Sequence, residues 1–175
     1  MTESGKVAKR LDTRLESEAA EFLVLAQLLL EEIPTFKAYV NYPDYDLIST
    51  NAAENTSAKI QVKSRFSTNW DGFIIKKNPK CDFVVFVALN RSFKKHDGIR
   101  IKEREPDFER EPDFYVLPIS WIKDIIDPKN KWGKITKSRL KERGIDSYKD
   151  KWVLIDDFLK RKSACPNCGA TLAEE

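Results

Sequence analysis

The sequence predicts a single mixed α/β domain. Three features carry that expectation. Residues 11–33 are rich in Leu, Ala and Glu and free of Gly and Pro; several short strand-like runs follow; and DFVVFVAL at 82–89 is almost wholly apolar. A chain of 175 residues is long enough to bury a core without staples. The order α-β-β-β-β with terminal helices fits an α/β plan.

The first segment, LDTRLESEAAEFLVLAQLLLEEI, stops before Pro34 and reads as a helix. Positions 15, 19, 22, 26, 29, 30 and 33 form one apolar face, which Leu23, Val24, Leu25 and Leu28 widen. A helix apolar over so much of its circumference is expected to lie against a sheet with another element nearby. Strand-like runs then occur at 36–40 (FKAYV), 44–49 (DYDLIS) and 57–65 (SAKIQVKSR), and the NAAENTS turn makes 44–65 a hairpin. DFVVFVAL has the composition of a central strand covered on both faces. FYVLP (114–118) predicts a further strand, ISWIKDII (119–126) a helix, and KDKWVLIDDFLKR (149–161) a closing helix.

The net charge is only +3, with 34% charged residues, so the balance alone does not announce a polyanion partner. The distribution is uneven. Residues 129–143 hold seven Lys/Arg against the single acid Glu142, whereas 103–114 hold six acids against two arginines. Three cysteines, no signal-peptide apolar region and no long apolar span predict a reducing, cytoplasmic setting without membrane insertion. EREPDF occurs at 103–108 and again at 109–114. Two copies do not make a solenoid, and the pair reads as a lengthened polar hairpin loop leading into the 114–118 strand.

Gln61 and Lys63 are two apart, so on a strand they share the face opposite Ile60 and Val62. A solvated strand face explains that pair cheaply. Such a hairpin is expected to bring Asp46 alongside them, with Glu21 of the first helix able to lean over the same strand ends. Phosphodiester hydrolysis requires an activated water, stabilisation of a charged pentavalent phosphorus and neutralisation of the leaving oxygen. Divalent cations held by hard oxygen ligands supply this, helped by a nearby lysine. Asp46 offers a carboxylate, Gln61 a neutral amide oxygen, Val62 a backbone carbonyl and Lys63 a fixed positive charge. Glu21, on an otherwise apolar flank with Val24, Leu25 and Leu28, needs a partner; Glu18 competes with it one turn earlier.

These residues resemble the PD-(D/E)XK nuclease superfamily. Asp46 in YDLIS matches the family's strand aspartate, Gln61-Val62-Lys63 its acid-X-lysine step, and Glu21 its helix glutamate. Asp44 after Pro43 is the rival aspartate, but Leu47-Ile48 directly after Asp46 fit the pattern, and Asp44 reads as a turn residue. The departure is Gln61, where most of the superfamily has an acid; it removes one negative charge. The resemblance covers roughly residues 15–120 and implies a restriction-endonuclease-like mixed β-sheet core of αβββαβ type flanked by helices; the expected domain runs over residues 1–162, with a tail at 163–175. It implies a Mg²⁺-dependent DNA endonuclease in which Mn²⁺ can substitute, with Asp46, Gln61, Val62 and Glu21 holding metal and Lys63 positioning water. Homodimers are common in the family. The alternatives are a catalytically silent nucleic-acid-binding member and a protein-interaction module.

Lys59, Arg65, Lys76 and Lys77 cluster around the same strands and suit backbone phosphates, as do Lys80, Arg91, Lys94 and Lys95. A solvated lysine-rich surface is the alternative reading of that rim. The 129–143 run is a second candidate basic face, in which Trp132 reads equally as a base-stacking aromatic or as core. His96, the only histidine, sits in the polar KKHDG stretch and supports no imidazole chemistry alone. ACPNCG in the tail has the form of one zinc knuckle, Cys165 and Cys168. A ribbon needs two knuckles, so bound Zn²⁺ would require Cys81, His96 or a second chain. Cys81 itself reads as a small buried hydrophobe.

Overall fold

The structure is a computed structural model that describes residues 13–39, 44–75, 79–91, 93–96, 99–104, 109–126 and 133–161. Helix α1 (Arg14–Leu30) leads into strands β1 (Thr35–Lys37), β2 (Leu47–Asn51), β3 (Thr56–Ser67) and β4 (Gly72–Ile74). Next come β5 (Phe83–Arg91), the hairpin β6 (Phe93–His96) and β7 (Ile99–Arg104), and β8 (Asp113–Pro118). Helix α2 (Ile119–Ile125), β9 (Lys134–Thr136), α3 (Lys137–Glu142), a 3-10 helix (Ile145–Tyr148) and α4 (Val153–Leu159) complete the described chain.

Five strands form one mixed sheet in the order β1-β2-β3-β5-β8. Only β3 and β5 run parallel; the other pairs are antiparallel. The expected 44–65 hairpin is present, with Leu47 opposite Ile60. Between β3 and β5, where the αβββαβ pattern has a helix, the described residues carry β4, which pairs with the distant β9. DFVVFVAL is central as expected: seven of its residues, Phe83 to Leu89, are buried, and alternate ones serve opposite layers. Val85, Val87, Ile60, Val62 and Val116 pack against α1 and α4, while Val84, Phe86, Ala88, Tyr115 and Leu117 pack against Phe73, α2, Ile135 and α3.

Helix α1 departs from its predicted orientation. Its buried residues are Ala20, Val24 and Leu28, whereas Leu15, Phe22, Leu29 and Leu30 of the predicted core face are exposed. The helix is apolar on two sides, and the stripe of Ala20, Val24 and Leu28 is the one that lies over the sheet. Its end is fixed by a reversed turn: Glu32 adopts φ 60°, and Ile33 N–H donates to Leu28 O at 2.9 Å. Ile33 and Leu28 then pack together in the core, the hydrophobic clasp of a Schellman ending.

Other predicted bounds shift. The first strand covers Thr35–Lys37, and Val40 lies outside the described residues. The second starts at Leu47 rather than Asp44, and the closing helix at Val153 rather than Lys149. The first EREPDF copy enters β7 and the second opens β8, with residues 105–108 outside the described chain. Lys76, Lys77, Trp132, Cys165 and Cys168 also lie outside it.

Asp113, at the start of β8, clamps the closing segment. It accepts from Lys149 Nζ at 2.5 Å, Asn90 Nδ2 at 2.8 Å and Arg110 at 3.2 Å. Burial pushes its pKa up, but the hydrogen bonds from Lys149 and Asn90 and the nearby positive charges outweigh burial and hold the carboxyl below its ordinary value. A depressed folded value adds stability that is complete above the unfolded value and lost as pH falls through the folded one. Asp113→Asn is therefore expected to cost about 1–3 kcal/mol at neutral pH. Urea denaturation should show the difference from wild type shrinking in strong acid; a gap that persists there would contradict the electrostatic cause.

Candidate active site

The site lies where β2 and β3 part. Up to Leu47 the two strands are paired. Asp46 N–H still donates to Ile60 O at 2.9 Å, but the next acceptor for β3 is a side chain: Val62 N–H donates to Asp46 Oδ2 at 2.7 Å. The carboxylate thus takes over from the backbone of β2 at the fork. On the far side, Ala38 N–H donates to Asp46 O at 2.9 Å, which ties the residue to the chain leaving β1. Extending the β2–β3 register puts Asp46 opposite Gln61. Within a strand the N–H and C=O of one residue point to the same edge, so the Val62 carbonyl also faces the fork.

Gln61 is buried, 5% exposed, and its Oε1 has no hydrogen-bond partner. A buried amide oxygen without a donor costs on the order of 1–3 kcal/mol. Lys63, two residues on, is partly buried. Burial raises the Asp46 carboxyl above its ordinary value, against the Val62 N–H and the charges of Lys63 and Lys37. Asp46 therefore lies in the field of both lysines.

Glu21 reaches the fork from α1, on the sheet face of Ile60 and Val62. Gln61 and Lys63, by strand alternation, project from the other face, and the Asp46 carboxylate interacts with Glu21 and Lys37 on one side and with Lys63 on the other. Burial is the largest influence on Glu21 and lifts its carboxyl, with the Asp46 charge adding to the rise and Lys37 opposing it. Lys37 is the residue the sequence reading missed. Its ammonium lies 2.9 Å from Glu21 Oε2 and also pairs with Glu18, and its side chain is only 7% exposed. It rests 4.5 Å from the Phe22 ring centroid. A lysine inside the apolar run FKAYV was the available signal: on a strand, Lys37 shares the inward face of Thr35. Glu21 and its rival Glu18 are thus both held by one cation.

Of the expected phosphate-binding rim, Lys59 is exposed, with its ammonium 5.7 Å from the Tyr45 ring. Arg65 lines a groove of about 370 Å³ with Ser17, Ser64, Ser67 and Trp70. Arg91 is paired with Glu109 at 3.2 Å. In the 129–143 run, Lys134 pairs with Asp71 at 2.7 Å, Lys141 with Asp146 at 2.5 Å, and Lys137 sits 4.5 Å from the Trp70 ring centroid. Cys81 is a free, buried thiol pushed up to about 11 by desolvation, as a small core hydrophobe should be. Among the described residues no three His, Cys, Asp or Glu side chains group to hold a metal ion; the fork offers two carboxylates and neutral oxygens instead. No helix of the described residues is long and apolar enough to cross a membrane.

No protein-family model matches the sequence, and no curated protein matches it. Among solved structures, the fold is similar to that of a bacterial homing endonuclease, I-Ssp6803I, with a TM-score of 0.51. The match covers 84% of this chain and 94% of that one at 19% sequence identity. At that identity the shared property is the fold: a mixed five-stranded sheet flanked by helices, in an architecture that a nuclease also uses.

Proposed function

We propose that the protein is a metal-dependent DNA endonuclease of the PD-(D/E)XK kind, cutting phosphodiester bonds at the β2–β3 fork. One observation carries this reading: the Asp46 carboxylate is anchored on the Val62 N–H at the fork, where the register puts the buried, partnerless Gln61 oxygen opposite it. The fold shared with a homing endonuclease supports it. The donor set suits a hard divalent cation, since an orphaned amide oxygen, a desolvated carboxylate and a strand carbonyl are all oxygen ligands. Asp46, Gln61 and Val62 would hold Mg²⁺ or Mn²⁺, with Glu21 adding charge from α1. Such an ion, when bound, supplies Lewis-acid stabilisation of the phosphoryl charge.

The chain's own groups do the rest. Asp46 stays fixed by its backbone donor, so its free oxygen does not reorganise during the reaction. Lys63 orients the attacking water and balances charge on the phosphoryl oxygens. Lys59 and Arg65, on the same strand, hold flanking phosphates of the DNA strand. Lys63→Ala is expected to slow cleavage by about 10²–10⁴-fold while leaving Mn²⁺ binding in calorimetry unchanged. Equal cleavage by the variant would remove Lys63 from the mechanism.

The direct test incubates the full chain with plasmid, branched and single-stranded DNA in Mn²⁺. Cleavage that Asp46→Ala and Lys63→Ala both lose supports the enzyme. The Lys37–Glu21 ion pair favours a second reading, a silent DNA-binding form in which the lysine replaces the cation. DNA shifts without calorimetric metal binding or cleavage would establish that form, and no DNA shift at low salt would turn attention to a protein-interaction role.

A further inference from the structure

Lys37 enters the fork from β1, where it is the register partner of Leu47, the residue after Asp46. Its neighbour Ala38 donates its N–H to Asp46 O at 2.9 Å. The Lys37 side chain is only 7% exposed, and burial strips water from a charge that must then find partners in the protein. Lys37 finds four. Glu18 and Glu21, one turn apart on α1, converge on its ammonium, with Glu21 Oε2 at 2.9 Å. The ring centroids of Phe22 and Tyr39 lie 4.5 and 5.8 Å away. Two carboxylates and two aromatic faces make a cage suited to an ammonium. A divalent ion such as Mg²⁺ gains little from ring faces and takes oxygen ligands instead. The cage thus holds a tethered monovalent cation on the α1 side of Asp46, and its charge reaches that carboxyl.

We propose that Lys37 is a built-in substitute for a second metal ion: it fills the cation position at Glu18 and Glu21, so that the wild-type fork takes a single divalent ion. The inference rests on the metal-dependent reading of the fork and deepens it. Sites that use two ions hold them about 3.5–4 Å apart, and carboxylates must offset the repulsion between dications so close together. Here Gln61 brings no charge, and Glu18 and Glu21 are both paired with Lys37. Of the proposed ligands, Asp46 then supplies the charge, and Gln61 and Val62 supply neutral oxygens. The silent form described above has the lysine displace the only cation. In the present arrangement it excludes the second and leaves the first its place. Because the ammonium is tethered to β1, the charge it sets beside Glu21 is the same at every metal concentration.

The test counts Mn²⁺ bound to the full chain without DNA, by calorimetry and by loss of the free-ion electron paramagnetic resonance signal. Wild type should bind one ion. Lys37→Met leaves Glu18 and Glu21 without their counter-ion and should take up a second, at least tenfold more tightly than any further ion on wild type. Adding Glu18→Gln to Lys37→Met removes one of those carboxylates and should return the count to one. Lys37→Arg keeps the cation and should stay at one. Circular dichroism checks the fold of each variant, and the wild-type count needs no variant at all. Two ions on wild type, or a folded Lys37→Met protein that binds no more than wild type, overturns the substitution and leaves the metal-dependent reading standing. A wild type that binds no ion removes the metal-dependent reading instead, and the single-ion site with it.

Discussion

Asp46→Ala is expected to abolish DNA cleavage in Mn²⁺, and Asp46→Asn to do the same with less damage to the fold. The reasoning separates two jobs of one carboxylate. As a ligand, it contributes charge to a cation whose phosphoryl stabilisation is worth several kcal/mol. At about 1.36 kcal/mol per decade, its loss removes about a thousandfold of rate or more. As a structural acceptor, it receives Val62 N–H at 2.7 Å. Alanine leaves that donor without a partner at the fork, a cost of about 1–3 kcal/mol, whereas asparagine can still accept it. Burial disfavours the ionised Asp46 carboxyl, which is why its folded value lies above the ordinary one. Its contribution to stability therefore improves as pH falls through that value, and the neutral asparagine escapes the same penalty at neutral pH. Cleavage assays and urea denaturation should accordingly rank the variants differently: both inactive, only the alanine form destabilised. Residual cleavage within tenfold of wild type by either would remove Asp46 from the chemistry.

Phe86→Ala should be the most destabilising core change, at about 3–5 kcal/mol. The side chain is fully buried in the middle of β5. Its ring stacks on Phe73 at 4.6 Å, meets the edge of Trp70 at 4.7 Å and lies 6.1 Å from Tyr115. These three partners come from the stretch around β4 and from β8, so the cavity left by alanine cannot be filled by one local shift. Thermal melting should fall by roughly 10 °C for a domain of this size. Phe86 is also the strand partner of Lys63. The folded fraction of the variant should therefore cleave more slowly, because the floor beneath Lys63 has lost its packing. Phe86→Leu keeps most of the volume and should recover much of both losses. A melting shift of a degree or two for the alanine variant would mean that the second layer is far looser than its ring contacts indicate.

The sheet was legible because its strands announce themselves. DFVVFVAL has no competing reading, and the NAAENTS turn fixes the hairpin that carries Asp46 and Gln61. The face of α1 was not legible, since apolar residues surround the helix and periodicity cannot say which stripe is covered. Strands β4 and β9 were missed for a different reason. Each has three residues, and their partners lie about sixty positions away, so no local pattern marks either. At the site, the order of Asp46, Gln61 and Lys63 was readable, while Lys37 was hidden in a run classed only by its apolarity. The relation of Glu21 to Gln61 also needed three dimensions: spacing along the chain cannot tell which side of a sheet a helix covers.

The β4–β9 pair constrains how the chain acquires its shape. Gly72–Ile74 cannot find Lys134–Thr136 until the latter has left the ribosome. Until then Val84, Phe86 and Ala88 lack the cover that Ile135 and Leu140 later provide. Such late, sequence-distant closure slows acquisition of the native state and leaves a sticky surface open in the interval. Nascent chains halted before Lys134 should bind a chaperone that those released after Glu142 escape.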